Sequence, residues 1–263
     1  MSERAGRLAV LKVSGAAVAF VGEETTASAD TDYQITDTVK QVLDRTATIN
    51  VHKYSTTEAA EAGTTTTNIT ITGHGLVTGD LIVNATRSDA ARIVTYVDDD
   101  NVTVAAVTDQ TGTDDIELYP TEASTAYTLN RLNGIVTYAT PVVRVIRVSG
   151  DYLPMSSAAY AHDFSKKTSA NTIPITSFLA TYVKNMAGTK FASGTLSQWD
   201  VTDSYFNDAL VAGNPIVIEF RSQAADEPER MWALLDSEEM KDAIEGAQDE
   251  IVTFISTEDL LTL

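Results

Sequence analysis

Cysteine is absent from the 263 residues, which removes disulfides, thiolate nucleophiles and thiolate metal sites. Histidine is nearly so: His52, His74 and His162 lie far apart, and their spacing offers no multi-histidine metal site. Positive charge is scarce. Against 37 acidic side chains stand 18 Lys and Arg, a formal net charge of −19. Ordinary binding to nucleic-acid phosphates needs the opposite sign, and an anionic membrane surface would repel this chain. The same charge suits a wall past which DNA must slide without sticking, as it suits simple solubility or a salty habitat. Long hydrophobic runs are missing as well, so no stretch reads as a membrane span. The opening residues do not read as a secretory signal, since Arg4 and Arg7 precede a short strand-like run that Lys12 interrupts.

What the chain does have is β-forming residues and turns. Apolar residues make up 43% and charged ones 21%, so a folded core is expected, and the length fits one large domain or one domain carrying a small insertion. Threonine is abundant, which favours strands and loops over long helices. The densest β-forming run is 137–154, TYATPVVRVIRVSGDYLP. Strict alternation puts Val143, Val145 and Arg147 on one face and Arg144, Ile146 and Val148 on the other, so the apolar set changes phase near Val145. Either the strand is covered on both sides or a bulge re-aims it.

In chain order, 8–20 reads as strand broken at Gly15, 22–32 as loop, and 47–51 as strand. Residues 54–67 have little periodic apolar content and are expected to form a linker or mobile loop. A distinct unit starts near Asn68: short strands separated by Gly73, Gly75 and Gly79, a hairpin turning at 98–101, and a last strand at 116–119. Such spacing suggests a small β-sandwich or barrel. No Lys or Arg falls between Arg92 and Arg131, so this region is strongly acidic. Asn133–Gly134 marks a hairpin turn. The spacing of Phe178, Leu179, Tyr182, Val183 and Met186 predicts a helix over 175–187, capped by Thr176 or Ser177 and ended by Gly188. Strands are expected at 191–199, 215–220, 231–235 and 250–256, with weak helical spacing at Met240, Ala243 and Ile244.

No catalytic or cofactor-binding constellation emerges, and an enzyme is not expected. The glycine-rich GHGLVTGD at 73–80 lacks the Lys-Ser/Thr of a phosphate loop and reads as β-turns, with His74 a turn or surface residue. Asp98, Asp99, Asp100, Asp114 and Asp115 do not match a calcium loop and read as solvated turn carboxylates. Arg144 and Arg147, guanidinium groups on an acidic protein's central strand, are candidates for ion pairs within the sheet or between subunits, or simply for a solvated face.

Taken in order, several stretches resemble the major tail tube proteins of long-tailed, siphovirus-like phages. They are YQITDTVKQVLDRTATINV at 33–51, LNGIVTYATPVVRVIRVSGDYLP at 132–154, SFLATYVKNMAGTKFASGTLSQW at 177–199 and DALVAGNPIVIEF at 208–220. The resemblance covers nearly everything outside 63–120, and it rests on turn residues and apolar spacing rather than on one diagnostic residue. It implies a mainly β fold, a sandwich or barrel flanked by one helix, split as 1–62 and 121–263 around a small glycine-rich β unit at 63–120 on the outer surface. It also implies hexameric rings stacked into a hollow tube that conducts double-stranded DNA during ejection, with tail terminator, baseplate and tape-measure proteins as partners. Assembly in the host cytoplasm and a place in the virion tail follow, with no cofactor, metal or membrane. Arg144, Arg147, Tyr152 and Leu153 are the expected assembly residues, and 54–67 or the edges of the inserted unit are expected to order through a neighbour. The competing readings are a tail terminator, a capsid decoration or baseplate protein, and a carbohydrate-binding β protein.

Overall fold

A computed structural model describes residues 10–105, 111–158, 161–174, 185–199, 205–221, 227–241 and 249–257. Among these the chain is mainly β with one α-helix. It divides into two compact units: Ala16–Pro154, and a second built from Met1–Gly15 with Met155–Leu263. Strand β1 (Val10–Ser14) belongs to the second.

In Ala16–Pro154 the first strands are β2 (Val18–Ala27), β3 (Asp32–Ile35) and β4 (Asn50–Lys53). A 3-10 turn at Thr38–Lys40 precedes β4, and the Asp37 carboxylate caps it by accepting the Val39 N–H at 3.0 Å. Then come β5 (Thr56–Ala59), β6 (Asn68–Thr70), β7 (Leu81–Asn84) and β8 (Arg92–Ile93). They are followed by β9 (Thr95–Asp98), β10 (Asn101–Thr103) and β11 (Asp115–Tyr119). Strands β12 (Tyr127–Asn130), β13 (Ile135–Tyr138) and β14 (Ile146–Tyr152) complete the unit.

These strands make three antiparallel sheets, ordered β12-β13-β3-β2-β14-β4, β5-β11-β7-β8 and β6-β10-β9. The six-stranded sheet buries Phe20, Tyr33, Ile35, Val51, Val136, Ile146 and Val148 in one cluster. A separate cluster lies within residues 56–119, where Ile69 and Val102 of the three-stranded sheet meet Ile82, Ile116 and Leu118 of the four-stranded one. Each fully buried Ile or Leu there contributes about 1.5–3 kcal/mol. The expected hairpin turn at 98–101 and the Asn133–Gly134 turn are both present, the latter with Gly134 at φ 62°.

Three expectations need correction in this unit. Strand β2 runs on to Ala27, so 22–32 is mostly not loop. Residues 54–67 are not a linker: β5 pairs with β11, Ala60 is buried, and the Glu61 N–H donates to Thr70 O at 2.8 Å. This segment is ordered on its own chain, against the expectation that a neighbour orders it. Finally, 137–154 is two strands with a loop between, since β13 ends at Tyr138 and β14 begins at Ile146. The phase change at Val145 is the loop-to-strand boundary. A register shift follows between Val148 and Gly150, where a Cβ on Gly150 would stand 2.4 Å from Ile49 Cδ1.

The second unit adds β15 (Met155–Ser157), β16 (Ala161–Pro174), β17 (Asn185–Trp199), α1 (Tyr205–Ala212), β18 (Ile216–Arg221), β19 (Glu229–Lys241) and β20 (Asp249–Ser256). Its sheet runs β15-β1-β18-β19-β20-β17-β16. Alternation sends Ile216, Ile218, Met231, Ala233, Val252 and Phe254 to one face, where Phe206 of α1 joins them. A helix of eight residues is marginal alone, and this buried contact is what holds it. Of the helix expected over 175–187, residues 175–184 lie outside the described residues. Asn185, Met186 and Ala187 are strand, opposite Pro174, Ile173 and Thr172. Met240 likewise lies in β19, while Ala243 and Ile244 are outside the described residues.

Candidate assembly surfaces

Of the side chains picked out by sequence, strand β14 carries Arg147 and Tyr152, with Arg144 and Leu153 just beyond its ends. Its register places Arg147 opposite Glu24 of β2 on one side and His52 of β4 on the other, so the three share one face. Arg147 Nη1 donates to Gly22 O at 2.8 Å, Nη2 pairs with Glu24, and the guanidinium lies 5.1 Å over the Tyr119 ring. Burial pushes the Tyr119 phenol up to about 12, Arg147 opposing and Glu117, which accepts its O–H at 2.8 Å, adding to the rise. Arg147 is therefore an ion pair within the sheet.

Arg144 sits in the exposed loop 139–145. It donates to Ser55 O, and its guanidinium lies 5.8 Å from the Tyr54 ring. Tyr152 packs edge-on to Phe20 at 6.0 Å, and Leu153 is buried with its N–H donating to Val42 O at 2.7 Å. All four expected assembly residues thus have contacts on their own chain, and of the four Arg144 alone is exposed.

The chain leaves the six-stranded sheet after β4 and returns after β11, and these two passages are tied together. Lys53 N–H donates to Pro120 O at 3.2 Å, Ser55 N–H to Leu118 O at 2.9 Å and Glu122 N–H to Val51 O at 2.8 Å. Lys53 also forms an ion pair with Glu122. Inside this stem His52 is fully buried, with Nδ1 3.2 Å from Thr121 Oγ1. The Asp80 carboxylate accepts the N–H groups of Val77 and Thr121, both at 2.8 Å. Sequence reading passed over His52 and Asp80, because their significance lies in the return of residue 121 to the sheet. His74 is buried rather than exposed: Nε2 lies 3.0 Å from Asp98 O, and the Leu76 N–H donates to Nδ1 at 2.9 Å.

In the second unit, the open edges matter most. The β16 strand is an edge 14 residues long, and the opposite edge β15 has three residues. β17 pairs with β20 only from Ser193 to Trp199, so from Asn185 to Phe191 its only strand partner among the described residues is β16. A two-stranded ribbon of this kind is marginally stable in water without further cover. On the same sheet, the fully buried Glu219 carboxylate meets Lys12 at 3.1 Å, Arg221 at 3.0 Å and Arg230 at 2.8 Å. Burial pushes this carboxyl up, but Arg230 and Lys12 outweigh it and hold it below its ordinary value.

Among the described residues no group of three or more His, Asp or Glu side chains is placed to hold a metal ion. No helix of the described residues is long and apolar enough to cross a membrane.

No family model and no curated protein sequence matches the chain. Among solved structures it is similar to a chain from the tail of an empty GTA particle of C6 symmetry, with a TM-score of 0.37 and 12% identity, covering 42% of this chain and 87% of that one.

Proposed function

We propose that the chain is a structural protein of a phage-like tail, assembling as hexameric rings that stack into a tube for double-stranded DNA. The observation that carries this reading is the second unit's sheet, whose 14-residue edge β16 and short edge β15 are both open among the described residues. A long uncapped edge is a template for another strand, and joining edges around a ring satisfies every subunit without leaving an end. The β16–β17 ribbon would gain from a neighbour a strand partner that it lacks among the described residues.

The order of tube-like stretches at 33–51, 132–154, 177–199 and 208–220 supports the same reading. So does the charge of −19, since an acidic lumen avoids the counterion-releasing contacts that would hold DNA in place. In this reading 63–120 is an inserted unit on the outer surface, away from a channel sized for a duplex. Tail terminator, baseplate and tape-measure proteins would meet the tube's ends and interior.

Sedimentation velocity over a concentration series tests self-association. Growth from monomer through a six-subunit species to larger particles is expected. A monomer at all concentrations would contradict the proposal.

A further inference from the structure

The loop 139–145 projects apolar side chains from a strongly acidic protein. Val143 is 99% exposed, and Pro141 and Val145 are exposed beside it. A single exposed valine needs no explanation, but this loop is braced on both flanks. The Tyr33 hydroxyl donates to Val142 O at 2.6 Å and accepts the Val142 N–H at 2.7 Å. On the other side, the Tyr54 N–H donates to Val145 O at 2.9 Å, and Arg144 reaches Ser55 O. A braced loop with a stiff β-branched tip loses little entropy on docking. It is a preformed knob.

A second set of exposed apolar side chains lies in the same unit. Every residue of β9 is exposed, including Tyr96 and Val97, the latter by 52%, and Ile93 and Val77 are exposed on adjoining segments. The Tyr96 N–H donates to Thr78 Oγ1 at 2.9 Å, which draws these segments together and closes the strand edge there to backbone pairing. Side chains are then the surface on offer. The Tyr96 ring is itself fixed, edge-on to His74 at 6.1 Å and donating its O–H to Asp99 at 2.8 Å.

Charge decides what fits there. No Lys or Arg occurs between Arg92 and Arg131, so Asp98, Asp99 and Asp100 border the patch without a cation from that stretch. Hydrogen bonds from the Asn101 side chain and the Asp100 N–H hold the Asp98 carboxyl below its ordinary range, keeping it ionised. Conversely, no Asp or Glu occurs between Glu122 and Asp151. The cations of that stretch are Arg131, which donates to Asp44 O and Ala47 O, Arg147, which pairs with Glu24, and Arg144. Among the described residues Arg144 meets backbone carbonyls and an aromatic ring, and no carboxylate.

We propose that the 141–145 knob of one copy docks on the exposed patch at Ile93 and Val97 of a second copy, which strand alternation puts on one side, with Arg144 facing Asp98–Asp100. The two surfaces differ, so the contact is head-to-tail and propagates from copy to copy. It deepens the tube reading by adding a contact between copies that does not use the open sheet edges.

The absence of native cysteine makes a cross-linking test direct. Val143→Cys and Val97→Cys, mixed in equal amounts under mild oxidation, should give a disulfide-linked pair, while neither alone should cross-link. Val143→Asp and Val97→Asp should each weaken self-association about tenfold, the effect of losing one buried apolar anchor. Mixed together, these two variants should recover part of the lost association, because one intact knob and one intact patch remain in each mixed pair. No cross-link in the cysteine mixture, or cross-linking of Val143→Cys with itself, would overturn the contact. Tubes of wild-type abundance from Val143→Asp would overturn it too while leaving the tube reading standing. If the wild type forms no tubes, the tube reading fails, and the cysteine pair decides the contact alone.

Discussion

His52 and Thr121 close the stem from which residues 56–119 extend: the imidazole Nδ1 lies 3.2 Å from the Thr121 hydroxyl, and the Thr121 N–H donates to Asp80 at 2.8 Å. Asp80 in turn holds the Val77 turn, so one chain of contacts runs from β4 through the returning passage into the glycine-rich loop. The relationship joins residues 69 positions apart.

This stem should be acid-sensitive. Burial pushes His52 down to about 4, against weaker opposition from the Asp80 carboxylate and the Tyr119 backbone. The folded state therefore holds a neutral imidazole while the unfolded chain takes up a proton near 6.5. Stability is complete above that value and falls as pH drops toward 4, by up to about 3 kcal/mol. Asp114 and Glu219 are held below their ordinary ranges, so their contributions begin to fall only near the ordinary carboxylate values of about 4 and go on falling below them. Thermal melts of the wild type and His52→Gln between pH 7 and 4 should show the slope in the first and a flatter profile in the second.

Asp114→Ala should destabilise the 56–119 sheets by about 3 kcal/mol, because it strands several donors at once. The Asp114 carboxylate accepts from Arg87 Nε at 2.9 Å, Asn84 Nδ2 at 2.8 Å and Thr111 Oγ1 at 2.9 Å. Urea denaturation followed by fluorescence measures the loss.

Gly194→Ala tests the packing of the second unit. A Cβ there would lie 1.9 Å from Ser165 O and 2.7 Å from Phe254 Cζ, and Phe254 stacks at 5.7 Å on Phe164. Strand β17 must separate from β16 to admit it, at a cost of about 2–3 kcal/mol. Differential scanning calorimetry should show a lowered transition, and an unchanged one would refute the packing described.

Tyr33→Phe should leave the aromatic contact with Tyr138, a ring separation of 5.9 Å, yet free both backbone groups of Val142. A loss of about 1–3 kcal/mol is expected. Amide exchange should quicken across 139–145 more than in the adjoining strands.

Much of the β framework was legible in sequence because its signals are local. The Asp98–Asn101 turn, Asn133–Gly134 and the runs that became β18 and β20 needed only turn residues and alternation. The run 137–154 misled because valine favours strands wherever it falls, and nothing local reveals that the Tyr33 hydroxyl, 109 positions away, clasps Val142 into a loop. Helix α1 did carry a signal: Phe206, Ala209 and Leu210 at helical spacing and Gly213 at φ 65° just beyond its end. It was too short to stand out from the strands around it. Arg147, Tyr152 and Leu153 were conspicuous by type, but sequence does not reveal that they meet Glu24, Phe20 and Val42 within the chain.

Six-fold assembly into a tube is the central claim, and electron microscopy of purified protein at raised concentration tests it most directly. Hollow tubes whose end-on averages show six-fold symmetry, with an axial repeat of a few nanometres, are the expected result. Persistent single subunits, or rings of another symmetry that do not stack, would contradict the account.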